Sequence, residues 1–352
     1  MSDTPPEPWR QLVDTDRLLA WMDSLALGQG PIENAQVLSG GTQNVLLQFD
    51  RAGRSYVLRR PPNHPRMDGS QTMRREARVL AALAHTEVPH PHLIAACDDT
   101  SVLGCGFYLM EPVSGYTATS GLPSAAAADP VWRERMGLSM VEALAQLGRV
   151  DHEAVGLADF GKLDGFLQRQ AGRWQSQLQS YADYAGWPGA SGLPDVDHIA
   201  TWLNAHVPAS FQPGIVHGDY HLSNVMFRHD APAIAAIVDW EMSTLGAPLL
   251  DLGWMLATWP DAQGGAIVPK VTVTPWQGFP DAQALVQCYA KHSNRDLSDL
   301  NWYAVLACYK LAIVLEGTYA RAHAGKASMA IGQPFHDAAR LLLQRAQTWL
   351  QR

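Results

Sequence analysis

Apolar residues recur at helical spacing along "DTDRLLAWMDSLALG", with Asp14 placed to cap and Gly28 to stop, which predicts a first helix over about 14–27. "AQVLSGGTQNVLLQFDRAGRSYVLRRPP" then holds three short strand-like runs, parted by Gly40-Gly41 and by "DRAGR" and ended by Pro61-Pro62. "SQTMRREARVLAAL" returns to helical spacing through Glu76, Val79, Leu80 and Leu83, and "CGFYLMEPVSG" reads as one more buried strand running into a linker. "SAAAADP" reads as a low-complexity turn, and helical patterns dominate from Pro130 onward. The pattern predicts a sheet-rich lobe over residues 1–112 and a larger, mainly helical lobe over 113–352, with no internal repeat.

One stretch breaks the pattern. In "GIVHGDYHLSNVMF", Gly214 to Phe227, the polar residues His217, Asp219 and Asn224 stand between Ile215-Val216 and Val225-Met226-Phe227. A second apolar run, Ile234 to Val238, leads to the lone acid Asp239. Polar groups framed by buried strands are placed to act on something, because the apolar runs fix their backbones.

Composition narrows the classes. A chain of 352 residues with 47% hydrophobic and 17% charged residues is globular and long enough for two lobes. A net charge of −8 argues against nucleic acid as the main partner. Cys97, Cys105, Cys288 and Cys308 form no CxxC pair and read as small buried residues in a reducing compartment. The first residues have neither a basic start nor an apolar core, so no signal peptide is expected. The apolar run "YAVLACYKLAIVL" is interrupted by Lys310 and reads as too short to cross a bilayer, so no membrane association and a cytoplasmic location are expected.

Charge is divided along the chain. Eight arginines lie between Arg51 and Arg78 against Asp68 and Glu76, whereas five acids lie between Ile215 and Trp259 against the single Arg228. One lobe is suited to phosphates and the other to a metal that accompanies phosphates. Phosphoryl transfer needs a carboxylate for the acceptor hydroxyl's proton, oxygen ligands for Mg²⁺ and a cation on the donor phosphates. Asp219 is the candidate base, and Asn224 and Asp239 offer the hard oxygens that Mg²⁺ prefers. His217 and His221 are four apart, the helical spacing of a zinc pair, but Gly218 and Tyr220 between them indicate a loop and not a helix.

These residues resemble those of a known family. "HGDYHLSN" fits H-x-D-x-x-x-x-N, the catalytic loop of eukaryotic-type kinases in the form found in aminoglycoside phosphotransferase-like small-molecule kinases. "LSGGTQNVLLQF" looks like that family's phosphate loop, "YVLRRPP" its third strand, "REARVLAAL" its ion-pair helix and "YLMEPVSG" its hinge. "VDWEMSTLGAPLLDLGW" and "YKLAIVLEGTYARAHAG" resemble the branch related to the kinase-like domain fused to acyl-CoA dehydrogenases. The resemblance implies an α+β, bilobal protein-kinase-like fold, with a small antiparallel-sheet N-lobe, a larger helical C-lobe, and ATP (GTP the alternative donor) and Mg²⁺ in its cleft. It implies Asp219 as catalytic base, His217 as brace of the loop, and Asn224 and Asp239 as metal ligands. Gly40, Gly41, Thr42 and Asn44 would form the phosphate loop. Alternation along the strand puts Arg59, not Arg60, toward the nucleotide, with Glu76 as its partner. Met110 and Glu111 would offer backbone groups to the adenine, and Asp251 would anchor the catalytic loop.

Three departures refine this. The loop reads Gly40-Gly41-Thr42-Gln43-Asn44 and not G-x-G-x-x-G; Arg59 stands where protein kinases have Lys; Asp239 precedes Trp240-Glu241, and no activation segment follows. A protein substrate would need that segment, so the expected acceptor is a small hydroxylated molecule. The helical lobe has no dense acidic run outside the metal site for a polycation, and the late loop "TYARAHAGKAS" is basic through Arg321, His323 and Lys326. A hydroxyacyl-CoA or related metabolite is therefore the first expectation, an aminoglycoside the second, and a non-catalytic nucleotide-binding regulator the third. The sequence says nothing of oligomeric state.

Overall fold

The computed structural model describes residues 9, 12–38, 44–62, 68–269 and 271–351. By its contacts the chain divides into two compact units, Met1–Ser114 and Gly115–Arg352.

In the first unit Asp14 caps α1 (Thr15–Ser24) by accepting from the Arg17 N–H. The helix stops ahead of Gly28 because Ala26 turns the chain at a φ of 54°. Five antiparallel strands follow: β1 (Glu33–Val37), β2 (Val45–Arg51), β3 (Arg54–Arg60), β4 (Leu93–Cys97) and β5 (Phe107–Met110), in the order β1-β2-β3-β5-β4. The β2–β3 turn is Ala52-Gly53, both at positive φ, the two-residue geometry whose twist matches that of the flanking strands. β4 was not read from the sequence. Helix α2 (Gly69–Leu83) and the single turn α3 (Thr100–Leu103) lie between the strands in sequence.

Strand alternation sorts the sheet's two faces. Leu47, Phe49, Tyr56, Leu58, Phe107 and Leu109 share one core with Leu18 and Met22 of α1. Val57, Arg59 and Tyr108 have the opposite parity, and α2 packs against β3, β4 and β5.

The second unit is mainly helical: α4 (Ser124–Ala128), α5 (Pro130–Arg149), α6 (Gln168–Gln179), α7 (Val196–Ala205), α8 (Leu249–Thr258), α9 (Ala282–His292), α10 (Leu300–His323) and α11 (Met329–Leu350). The alanine run read as a turn is the short helix α4; Asp129 then caps α5 through the Val131 N–H, with Pro130 in the first turn. Two small antiparallel ribbons pair β6 (Gly214–Val216) with β9 (Thr244–Gly246) and β7 (Val225–Phe227) with β8 (Ile234–Ile237).

Helix α10 is the spine of this unit, packing on α6, α7, α8 and α11. The apolar run read as too short for a bilayer lies within this 24-residue helix, which by length and composition could cross one. In the fold 78% of its most apolar stretch is buried by the neighbouring helices, as befits a core helix. Each fully buried aliphatic side chain there contributes roughly 1.5–3 kcal/mol. The four cysteines are free thiols and buried.

Candidate active site

The loop from His217 to Asn224 runs between β6 and β7, and two distant groups hold its backbone. Asp251, in the first turn of α8 and 1% exposed, accepts the His217 N–H at 2.6 Å and the Gly218 N–H at 2.8 Å. Gly218 has a φ of +89°, and a Cβ there would lie 2.6 Å from the Met242 carbonyl oxygen, so only glycine fits. The second group is the Val238 peptide unit. Its N–H donates to the Asn224 carbonyl at 2.9 Å, and its carbonyl lies 3.0 Å from His217 Nε2. His217 Nδ1 accepts from the Asp219 N–H at 3.3 Å, so Nε2 is the nitrogen that donates to Val238. Trp240 and Tyr220 enclose the ring edge-on.

Val238 also brings Asp239 to this loop. In the β7–β8 register Val225 faces Ile237, so Asn224 lies opposite Val238 and Asp239 follows by one residue. Asp239 is half-buried and adopts φ 66°, ψ 64°, a strained conformation for a residue other than glycine that concentrates at functional sites.

The Asp219 carboxylate is hydrogen-bonded on both oxygens. Oδ1 accepts from Trp254 Nε1 at 2.9 Å and lies 3.2 Å from His221 Nε2; Oδ2 accepts from Asn224 Nδ2 at 2.9 Å. His221 Nδ1 accepts from the Ser223 N–H, which leaves Nε2 to carry the proton toward Asp219. Burial alone would raise the pKa of Asp219, but the hydrogen bond and charge of His221, with His217 and Lys310 behind, bring it well below the usual carboxylate range. About a third of the side chain, 32%, remains open to solvent. Asn224 Nδ2 also donates to the Asp219 carbonyl, so the amide presents its oxygen end elsewhere. An amide oxygen and a carboxylate brought to one end of a hairpin suit a small hard cation such as Mg²⁺.

Two residues at this site were missed from the sequence as functional candidates. Trp254 was read as core; it is buried, yet it donates to Asp219. The usable signal was its place three residues after Asp251, one turn along the same face of α8. Lys310 was noted only as an interruption of an apolar run; its Nζ donates to the Gly218 carbonyl at 3.3 Å and lies 4.4 Å from the centre of the Trp254 ring. A lone cation within the apolar run Tyr303–Leu315 was the signal.

Burial pushes the Asp251 carboxyl up, while the charge of His217 and the two backbone amides draw it down, leaving it above its ordinary value. Asp251→Ala would leave two buried N–H groups without an acceptor, each costing about 1–3 kcal/mol. We expect thermal unfolding to show a loss of roughly 3 kcal/mol, with turnover falling too; an unchanged Tm would contradict the anchoring role.

In the first unit Arg59 and Glu76 are buried together, with Nε to Oε2 at 3.0 Å and Nη2 to Oε1 at 3.3 Å. The Tyr108 hydroxyl, cross-strand from Arg59, donates to Glu76 Oε2 at 2.9 Å. Arg60 turns to the other face and donates to the Pro61 and Leu12 carbonyls. Asn44 immediately precedes β2; Gly40, Gly41 and Thr42 lie outside the described residues. Met110 ends β5 in ladder pairing with both β3 and β4. The expectation that Met110 and Glu111 both offer backbone groups is narrowed: the Glu111 N–H donates to the His92 carbonyl at 2.9 Å, so that residue has its carbonyl to offer. Its side chain pairs with Arg54 at 3.0 Å.

The basic loop also differs from its reading. Arg321 and His323 sit in the last turn of α10, where Arg321 bonds Thr318 and His323 packs on Tyr319; Lys326 lies over Tyr184. His217 and His221 direct their ring nitrogens to different partners and do not converge as a zinc pair.

The model of the phosphotransferase enzyme family matches residues 34–273. Acyl-CoA dehydrogenase family member 10 of Mus musculus is 29% identical over 313 residues, which cover 86% of this chain and 28% of that protein. The chain therefore spans under a third of that relative's length. A solved structure from Ralstonia eutropha JMP134, provisionally assigned as an aminoglycoside phosphotransferase, is 31% identical with a TM-score of 0.79, covering 96% of this chain and 99% of the other. A choline kinase from Cryptosporidium parvum matches with a TM-score of 0.63 at 10% identity, covering 96% of each chain. An ADP-bound aminoglycoside phosphotransferase matches at 0.57 and 15% identity, covering 96% of this chain and 99% of that one. The fold is the kinase-like α+β fold of these phosphotransferases.

Proposed function

This chain belongs to the phosphotransferase enzyme family, and on that premise we propose that it moves the γ-phosphoryl group of ATP, with Mg²⁺, to the hydroxyl of a small acceptor. The first candidate acceptor is a hydroxyacyl-CoA or related hydroxylated metabolite. One observation carries the reading: Asp219 is held ionised in a loop anchored by Asp251, while the β7–β8 register brings Asn224 and Asp239 to the same end of the adjoining hairpin.

Asp219 receives the acceptor's hydroxyl proton; its hydrogen bonds from Trp254 and Asn224 aim the carboxylate and keep it anionic. A strongly ionised, weakly basic carboxylate suits a loose transition state, in which the proton leaves late. Asn224 Oδ1 and Asp239 would hold the metal, which when bound neutralises charge on the donor phosphates. In the first unit Arg59, fixed on Glu76 through both nitrogens, keeps a planar cation of constant charge for phosphate oxygens.

The acyl preference draws on the acyl-CoA dehydrogenase relative, most of whose length this chain does not span. Aminoglycosides stand second, because structures that bear that name share the fold. Incubation with MgATP or MgGTP and a panel of 4-hydroxyacyl-CoAs, hydroxy acids and aminoglycosides, read by mass spectrometry, tests the assignment. Phosphorylated hydroxyacyl products are expected; phosphorylation of aminoglycosides alone would reverse the order, and no phosphorylated product from any acceptor would favour a nucleotide-binding regulator.

A further inference from the structure

Lys310 sits midway along the long core helix α10, yet it retains partial exposure. Its ammonium can donate three hydrogen bonds, and the one it makes among the described residues, to the Gly218 carbonyl, is long at 3.3 Å. Two indoles flank it, with the Trp254 ring centre at 4.4 Å and that of Trp174 at 5.5 Å. Trp174 is 9% exposed, and its Nε1 is buried with no hydrogen-bond partner among the described residues. A second cation, Arg173, stacks on the same Trp174 ring at 5.3 Å. Burial depresses the Lys310 pKa, Asp219 and Asp251 draw it back up, and Arg173 lowers it further.

Lys310, the unpartnered Trp174 N–H and Arg173 are gathered around the Trp174 indole, and Trp254 links Lys310 to the Asp219 carboxylate. A polycationic ligand would meet repulsion there; an electron-rich oxygen would satisfy the unused donors. Trp254 joins this set to the reacting group, since its ring faces Lys310 and its N–H bonds Asp219. We propose that Lys310, with Arg173 and the Trp174 indole N–H, binds an acyl oxygen of the acceptor, either a free carboxylate or a thioester carbonyl, and so selects hydroxy acids or hydroxyacyl thioesters. This specificity role rests on the phosphotransferase reading of the same site and adds the residues that recognise the acceptor.

The test is nucleotide-free binding by calorimetry to the full chain, with sodium 4-hydroxypentanoate, its pantetheine thioester, 1,4-pentanediol and kanamycin as probes. The wild type binds an acyl probe at least roughly tenfold more tightly than the diol, as one charge-assisted hydrogen bond allows, and the acid and thioester arms show which acyl form is read. Lys310→Met erases that preference, read as the ratio of acyl to diol affinity within each variant, Lys310→Arg keeps part of it, and Trp174→Phe, which replaces the indole and its N–H by a phenyl ring, weakens acyl binding a few-fold. Equal binding of diol and acyl probes to the wild type, an undiminished preference in Lys310→Met with Trp174→Phe also silent, tight binding of kanamycin, or no acyl binding at all would each overturn the proposal. Separate MgATP turnover assays keep the two readings apart. Acyl binding through Lys310 without transfer would sink the phosphotransferase reading alone, whereas transfer to hydroxyl compounds regardless of an acyl group would sink only this one.

Discussion

Asp219→Asn lowers turnover by roughly 100- to 10,000-fold, the range that a positioned proton acceptor contributes, while nucleotide affinity is retained. The substitution keeps the shape of the side chain but removes its charge and basicity. It also sets an amide with a single oxygen against the three donors Trp254 Nε1, His221 Nε2 and Asn224 Nδ2, which use both carboxylate oxygens, so at least one of them loses its acceptor. Steady-state kinetics and titration with a non-hydrolysable ATP analogue separate the two effects. Near-normal turnover in this variant would contradict the assignment of the base.

The pH profile bears on the same group. The folded protein holds Asp219 below its ordinary value of 3.8. A depressed carboxylate adds stability above its unfolded pKa, and that contribution is lost only as pH falls through the lower folded value. Turnover therefore shows no acid limb from Asp219 at or above pH 3.8. An inflection in kcat near pH 6, where buried catalytic acids commonly titrate at about that value, would contradict a preformed anion if solvent-isotope and variant data trace it to this residue.

Asp239→Asn gives the second large effect, and it falls on the metal-loaded nucleotide. Asn visits the left-handed backbone found at φ 66° more readily than most residues, so the change isolates charge from strain. Replacing the carboxylate proposed for the cation by a neutral amide removes several kcal/mol of charge neutralisation and is expected to cut kcat/KM for MgATP by about 100-fold or more, since each 1.4 kcal/mol is tenfold. The gap in affinity between MgATP and metal-free ATP should collapse in this variant. An unaltered magnesium dependence would remove Asp239 from the metal site.

Local rules made much of this legible. Asp14 accepts from an N–H three residues on, as the cap reading expected. Strand parity separated Arg59 from Arg60, and helical spacing put Glu76 on the buried face of α2 with Val79, Leu80 and Leu83. What could not be read depends on long-range pairing. β9 is three residues long and exists because it pairs with β6. β4, the sequence "LIAAC", lacks alternation and owes its form to pairing with β5. The "SAAAADP" segment went the other way, because alanine's helix preference outweighed a composition that looked like a turn.

The donors around Asp219 show the same limit. Trp254 and Lys310 come from α8 and α10, which sequence proximity does not connect to the loop at 217–224. A tryptophan reads as core from sequence, and here it is both core and hydrogen-bond donor. The two His217 Nε2 and Asn224 contacts to Val238 were likewise invisible, since they use a backbone unit whose side chain carries no signal.

The central claim is tested most directly by supplying ATP labelled with ¹⁸O in its γ-phosphoryl group, Mg²⁺ and a 4-hydroxyacyl thioester, then weighing the acceptor. With the wild type a phosphoester on the acceptor hydroxyl carries the label, and with Asp219→Asn it is almost absent. Label found only in inorganic phosphate, or a labelled ester formed equally by both proteins, would contradict the claim.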